Sequence, residues 1–124
     1  MPCLKIYTNI ARNQIPGGFV DRIIPVLSRT VGKSEKKFIC VVTPDSLMHF
    51  QGDNTSPAAA ATLESIGHID PTRNKVIVKE LTEFITKELG IAPAKFFITL
   101  YDVANYNVGF SGALVGSTSP NINT

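Results

Sequence analysis

Two stretches of the sequence repeat one pattern and decide the predicted fold: residues 32–43, GKSEKKFICVVT, and residues 90–101, GIAPAKFFITLY. Each begins with a glycine, continues through a short turn that contains a lysine, and ends in an apolar run of strand length. Equivalent residues of the two stretches lie the same number of positions apart, as in the pairs Gly32 and Gly90, Lys37 and Lys95, and Phe38 and Phe96. The repetition predicts an internal duplication.

A helical pattern precedes each of the two glycines. After Gly17 and Gly18, apolar residues recur at steps of three and four, although Pro25 interrupts the stripe: Phe19, Val20, Ile23, Ile24, Leu27 and Val31. In the second half, the pair Asp70-Pro71 is typical of a helix start. The apolar face that follows consists of Ile77, Leu81, Phe84, Ile85 and Leu89. Glycine just after the last apolar residue is a common helix end, so both helices are predicted to end near their glycines.

Strands are predicted on either side of each helix. The expected strands are Cys3–Thr8, Phe38–Thr43, Thr62–Ile69 and Phe96–Leu100, with short edge strands at Leu47–Phe50 and Val108–Phe110. We therefore predict an α+β fold in which two duplicated β-α-β units form a four-stranded mixed sheet with two helices on one face. The predicted domain covers residues 1–112, and the small polar residues 113–124 are expected to form a flexible C-terminal tail.

One face of such a sheet has no helices to cover it. The run Ile39–Val42 is apolar at every position, so it would place apolar side chains on both faces of its strand. An exposed apolar sheet face is typical of a surface that another subunit covers. We therefore expect a homo-oligomer.

Composition excludes several classes of function. The chain has 124 residues, a net charge of +2 and no Trp, which argues against a nucleic-acid partner. With two Cys and two His it has no spacing typical of a metal site, and we expect neither a metal ion nor a cofactor. Cys3 and Cys40 are expected to be small buried side chains on strands.

No stretch reaches the roughly 18 apolar residues of a membrane span, and no secretory signal is recognisable, so synthesis in the cytoplasm without membrane insertion is expected.

The start of the chain is the most unusual candidate for chemistry. Initiator methionine is commonly removed before a small residue, which would leave Pro2 with a free secondary amine. An ordinary α-amino group has a pKa of about 7.7–8.0, and burial or a nearby cation lowers it. Such an amine would be a neutral base suited to removing a proton next to a carbonyl group. The alternative is that Met1-Pro2 is merely a common way for a chain to begin.

Several motifs in one order resemble a known family. They are Met1-Pro2, the strand end Thr8-Asn9, Pro16-x-x-Phe19, Gly32-Lys33, Pro44-Asp45-x-Leu47-Met48-x-Phe50, Ser65-Ile66-Gly67 and Asn107-Val108-Gly109. Together they resemble the macrophage migration inhibitory factor family, which includes D-dopachrome tautomerase, from residue 1 to about residue 112. The resemblance implies a homotrimer around a central channel and keto–enol tautomerase activity on phenylpyruvate-type and dopachrome-type substrates. It also implies a secreted cytokine role after leaderless export, with a cell-surface immune receptor as partner.

The resemblance assigns roles to individual residues. Pro2 matches the catalytic base, and Lys33 matches the lysine that faces the substrate carboxylate. Ile66 matches a position whose backbone contacts substrate, and Val108 and Phe97 match walls of the pocket. Each residue also has an ordinary interpretation: Lys33 as a solvated lysine at a helix end, and Ile66 and Phe97 as strand packing.

The chain departs from the family pattern at several positions. Phe97 replaces a pocket tyrosine, Thr99 an asparagine, and Phe110 a tryptophan near the pocket mouth, so polar contacts to substrate are lost. Residues 58–61 are alanines where mammalian members have Cys-x-x-Cys, which removes thiol–disulfide exchange there. Two alternatives to a tautomerase remain: a secreted signalling ligand of the same fold with weak or no turnover, and an unrelated ferredoxin-like binding module.

Overall fold

The computed structural model describes residues 1–117 and contains a mixed four-stranded sheet with two helices. The strands are β1 (Cys3–Thr8), β2 (Ile39–Thr43), β3 (Ala59–Ser65) and β4 (Phe96–Asp102), and the helices are α1 (Phe19–Leu27) and α2 (Pro71–Leu89). The strand order is β2-β1-β3-β4. β1 pairs parallel with β2, β3 pairs parallel with β4, and the central pair β1 and β3 is antiparallel. This topology confirms the predicted fold of two β-α-β units in one mixed sheet.

The helices end where the sequence places their caps. Asp70 precedes α2, and its carboxylate accepts a hydrogen bond from the backbone N–H of Arg73 at 2.8 Å. Gly90 follows α2 with a φ of 68°, a left-handed conformation that glycine adopts without strain. α1 contains Pro25 and continues into one π-helical turn, Ser28–Gly32. Gly32 therefore ends the first helical segment as predicted.

The core lies between the helices and one face of the sheet. Alternate residues of the two central strands point towards the helices, which is why the apolar positions of β1 and β3 recur with a period of two. The buried residues from the strands and helices are Leu4, Ile6, Ala59, Ala61, Leu63, Phe19, Ile23, Leu27, Ile77, Leu81 and Ile85.

The other face of the sheet carries exposed apolar side chains. The largest are Tyr7, Ile39, Val41, Phe97 and Tyr101, each between 44% and 60% exposed. We call this surface the open face. Its residues occupy the strand positions that alternate with the buried ones, so they point away from the helices.

The predicted edge strand at Leu47–Phe50 is wrong. Phe50 makes only an isolated bridge to Asp53, and the rest of the segment is loop with Leu47 fully exposed. Positive φ angles at Asp45 (57°) and Gln51 (52°) bend the backbone away from an extended path. Lys95 instead attaches the loop to the start of β4, because its Nζ donates to the Phe50 carbonyl at 3.0 Å and lies 3.2 Å from Asp53 Oδ2.

Two predicted strand boundaries also need correction. β3 begins at Ala59 rather than Thr62, because the alanines pair with both neighbouring strands, and it ends at Ser65 rather than Ile69. Gly67 and His68 follow with φ angles of 72° and 62°, which end the extended path. β4 continues two residues beyond Leu100 to Asp102.

A small hairpin completes the described chain. β5 (Gly109–Phe110) pairs antiparallel with β6 (Ala113–Leu114), and Val115 is fully buried, with its N–H donating to the Val108 carbonyl at 2.9 Å. The sequence predicts a flexible tail after residue 112, and the packed part of the chain extends past that boundary to Val115. The rest of the predicted tail, 118–124, lies outside the described residues. Within residues 1–117, no helix is long and apolar enough to cross a membrane.

Candidate active site

A cavity of about 180 Å³ lies at the end of the sheet where β1 begins. Its walls come from the first residues of β1 and β2, the last residues of β3, and the chain that follows β4. The lining residues are Met1, Cys3, Ile39, Glu64, Ser65, Ile66, Val103, Val108, Gly109 and Phe110. The cavity therefore collects residues from both duplicated units.

The strand register explains why these residues meet. Cys3 pairs with Ile39 on β2 and with Glu64 on β3, so the start of β1 adjoins the end of β3. Ser65 at that end pairs with Asp102, the last residue of β4. The chain segments after β3 and β4 thus leave the sheet side by side, next to the amino terminus.

The turn after β3 is held by two hydrogen bonds. Ser65 Oγ donates to the Gly67 carbonyl at 2.7 Å, and the Gly67 N–H donates to Asp102 Oδ1 at 3.0 Å. The first bond closes the turn on itself, and the second connects it to Asp102 at the end of β4. Ile66 is therefore fixed at the cavity wall by its neighbours on both sides.

Lys33 reaches the same turn from just after the π-helical turn that follows α1. Its side chain is buried, with the residue 8% exposed, and its Nζ donates to the Ile66 carbonyl at 2.6 Å. Burial lowers the pKa of Lys33, the nearby charge of Lys37 lowers it further, and Asp102 opposes the shift. A buried ammonium next to the cavity supplies positive charge that water screens only weakly.

The amino terminus shares this environment. Burial is the largest cause that lowers the pKa of the Met1 amine, followed by the positive charges of Lys33 and Lys37. Pro2 is buried, and its carbonyl accepts a hydrogen bond from the Ile39 N–H at 2.9 Å. The chain end is therefore fixed to β2 and lies in the field of two lysines, a setting that favours a neutral amine.

The structure brings together four of the five residues that the sequence singles out. Ile66 and Val108 line the cavity, Pro2 follows the lining residue Met1, and Lys33 is bonded to Ile66. Phe97 lies elsewhere: it pairs with Ala60, five residues before Ser65. The nearest lining residue of β3 is Glu64, four residues from Ala60, so at about 3.3 Å per residue Phe97 lies roughly 13 Å along the sheet from the cavity. Within one chain, Phe97 is an exposed residue of the open face.

Sequence reasoning missed several lining residues, above all Cys3 and Glu64. Glu64 could have been found by alternation, since it lies two positions before Ile66. Cys3 could not, because its place in the cavity depends on its pairing with Ile39 and Glu64. The sequence singles out Phe110 only as a difference from the family pattern, and the structure places it in the cavity wall.

The two cysteines lie on strands, as predicted, but are only partly buried. Cys3 pairs with Ile39 whereas Cys40 pairs with Leu4, so the two side chains lie on opposite faces of the sheet. Burial raises the pKa of Cys40 to about 11, and Cys3 adds to the shift. In the part of the chain that is described, no group of three or more His, Cys, Asp and Glu could hold a metal ion.

Comparisons with known proteins show the family and agree with the fold. Residues 1–116 match the family model described as Macrophage migration inhibitory factor (MIF). The chain is 34% identical over 113 residues to macrophage migration inhibitory factor of Xenopus laevis and to that of Mus musculus. Each alignment covers 91% of this chain and 97% of the relative. The solved structure of the factor from Trichinella spiralis superposes with a TM-score of 0.86 at 26% identity, over 90% of this chain and 98% of that one. The chain belongs to the macrophage migration inhibitory factor family and has its tautomerase and cytokine fold.

Proposed function

We propose that this protein is a keto–enol tautomerase, an isomerase of phenylpyruvate-type and dopachrome-type substrates, with Pro2 as general base once Met1 is removed. The observation that carries the proposal is a partly buried amino terminus that lines the cavity and lies in the field of Lys33. The same burial and charges that lower the pKa of the Met1 amine would act on the Pro2 amine, one residue along. A neutral secondary amine can then take the proton next to a substrate carbonyl group.

We assign Lys33 to the substrate carboxylate. An ammonium group has three donors, of which the Ile66 carbonyl accepts one at 2.6 Å. Lys33 would therefore hold the carboxylate close to the Ile66 turn, while its charge keeps the Pro2 amine neutral. Both effects favour the same substrate orientation, in which the CH2 group next to the keto carbonyl lies beside Pro2.

The remaining cavity residues complete the proposed mechanism. The backbone N–H of Ile66 is our candidate donor to the enolate oxygen, where negative charge develops as the proton leaves. Val108 and Phe110 supply apolar walls for the aromatic ring of the substrate. Because Phe97, Thr99 and Phe110 bring fewer polar groups than the usual residues of the family, we expect the ring to be held mainly by apolar contact.

We further propose a homotrimer in which the neighbouring copy completes the site. The support is the open face: Ile39, Val41 and Phe97 are 44% or more exposed, and exposed apolar surface of this kind is typical of subunit contacts. Phe97 cannot reach the cavity of its own chain, so its assigned role as a pocket wall requires the cavity of a neighbour. Leu47, which is fully exposed on the loop after β2, fits the same interpretation.

We extend the signalling role named by the relatives to this chain as well, with leaderless export and a cell-surface immune receptor as partner. The support is membership of the family, whose vertebrate relatives are named as factors that inhibit macrophage migration. Release of the protein from intact producing cells would support the export step, and strict retention would contradict it.

The direct test combines an intact mass measurement with a phenylpyruvate assay. We expect the mass of a chain without Met1 and a measurable rate of keto–enol conversion by that chain. If Met1 is retained, the Pro2 nitrogen is an amide and the proposed base does not exist. A correctly processed chain without turnover would favour the signalling ligand that has no catalytic role.

Lys33→Met tests the electrostatic part of the mechanism. Removing this positive charge raises the pKa of the Pro2 amine. Because only the neutral amine is active, the rate at acidic pH falls and the rising limb of kcat/KM moves to higher pH. We also expect KM to rise about tenfold, since the carboxylate loses its partner. The measurement is a pH profile of phenylpyruvate turnover.

The matched control is Lys36→Met, which removes an exposed lysine on the same loop. It should leave both the pH profile and KM unchanged. A Lys33→Met profile that coincides with the wild-type profile would contradict the assigned role.

A further inference from the structure

Glu64 is a charged cavity residue that the proposed mechanism does not use. It lies next to the end of β3 and points to the open face, two positions before Ile66, and it is one of the residues that line the cavity. Two residues of a strand span about 6.6 Å, so Glu64 lies one strand repeat away from the carbonyl that holds Lys33. The positive charge of Lys33 therefore lies at the turn after β3, and the negative charge of Glu64 lies farther back along the strand.

The charge of Glu64 is only partly balanced. Its nearest cation is Lys5, with Nζ 3.9 Å from Oε1, and both side chains are 44–46% exposed. Ion pairs between such exposed groups are weak, so the carboxylate keeps much of its negative potential. The Cys3 thiol in the same cavity is affected by it: burial raises the pKa of Cys3, Lys5 lowers it, and Glu64 raises it.

We propose that Glu64 is a specificity-determining residue that selects among substrates by the charge of their ring substituent. This inference rests on the proposed tautomerase function. With the substrate carboxylate held at Lys33, the ring extends along the wall that contains Glu64 and Phe110. A cationic ring substituent is attracted there and an anionic one repelled, so the protein prefers arylpyruvates whose rings are cationic or neutral.

The test compares three substrates that differ only at the para position of the ring: 4-(aminomethyl)phenylpyruvate, phenylpyruvate and 4-carboxyphenylpyruvate. For Glu64→Gln we expect kcat/KM to fall about three- to tenfold for the cationic substrate and to rise by a similar factor for the anionic one. The value for phenylpyruvate should stay within about twofold, because glutamine preserves the size of the side chain.

Two further variants check the cause. Lys5→Met removes the partner of Glu64, so it should increase the preference for the cationic ring, opposite to Glu64→Gln. Glu83→Gln removes an exposed carboxylate on α2, which lies on the helix side of the sheet, and should change nothing. An unchanged ratio between the cationic and anionic substrates in Glu64→Gln would overturn the proposal.

Binding of cinnamates with the same para substituents separates this inference from the proposed reaction, since cinnamates have no keto group and so cannot undergo keto–enol conversion. If titration calorimetry shows charge discrimination that Glu64→Gln removes, the specificity proposal holds even if no substrate turns over. If turnover is normal but neither kinetics nor cinnamate binding distinguishes the substituents, the tautomerase proposal stands and the specificity proposal fails.

Discussion

Pro2→Gly is expected to lower kcat for phenylpyruvate tautomerisation by about 10²-fold or more, at the lower end of what a positioned general base contributes. Glycine still provides an amine at the mature chain end, but without the ring that fixes the direction of the nitrogen lone pair. The fold should persist, because the contact of residue 2 with β2 is a backbone bond, from the Ile39 N–H to the carbonyl at position 2. KM should change little, since Lys33 is untouched.

An extended chain provides the matched control for Pro2→Gly. An alanine inserted between Met1 and Pro2 leaves every side chain in place but converts the Pro2 nitrogen into an amide, which has no basic lone pair. Its loss of activity should equal or exceed that of Pro2→Gly. Circular dichroism, sedimentation and intact mass establish that folding, assembly and processing are otherwise unchanged. Full activity in either variant would remove Pro2 from the mechanism.

The fold was predictable where local chemistry and periodicity agree. α2 has a capping Asp70, a proline at its first position, an apolar face and a glycine stop, and its observed bounds follow from these features. The start of β3 was missed because alanine has little strand preference, so residues 59–61 carry no local signal until β1 and β4 flank them. The loop around Leu47 looks like a strand in sequence but has no neighbouring strand with which to pair.

The candidate site was predictable only in part, for a geometric reason. Its residues are separated widely along the chain, as in the bond from Lys33 to the Ile66 carbonyl, and the strand register brings them together. Family resemblance could name Pro2, Lys33 and Ile66, but the place of Phe97 depends on the register of β4. Glu64 was missed because a charged residue on a half-exposed strand is usually read as solvated surface.

Mixed trimers test whether two subunits share each site, and here a large gain of activity is expected. Pro2→Gly subunits lack the base, and Phe97→Ala subunits lack the wall, which should cost about tenfold alone because a large apolar contact is lost. Coexpressed with different affinity tags, trimers that contain both variants can be purified through both tags. Around a closed ring, one site in each mixed trimer combines an intact Pro2 with an intact Phe97 from its neighbour, so about one third of wild-type activity returns.

Sites built within single subunits predict a different result. No site of a mixed trimer would then be intact, and its activity would stay below about one tenth of the wild-type value, the level of Phe97→Ala alone. Mixing the two purified homotrimers without subunit exchange should give the same low value and serves as the control. A stable monomer in sedimentation would contradict the shared site outright. Recovery to about one third, by contrast, requires that Phe97 of one copy face the cavity of another, since the strand register places it roughly 13 Å from its own.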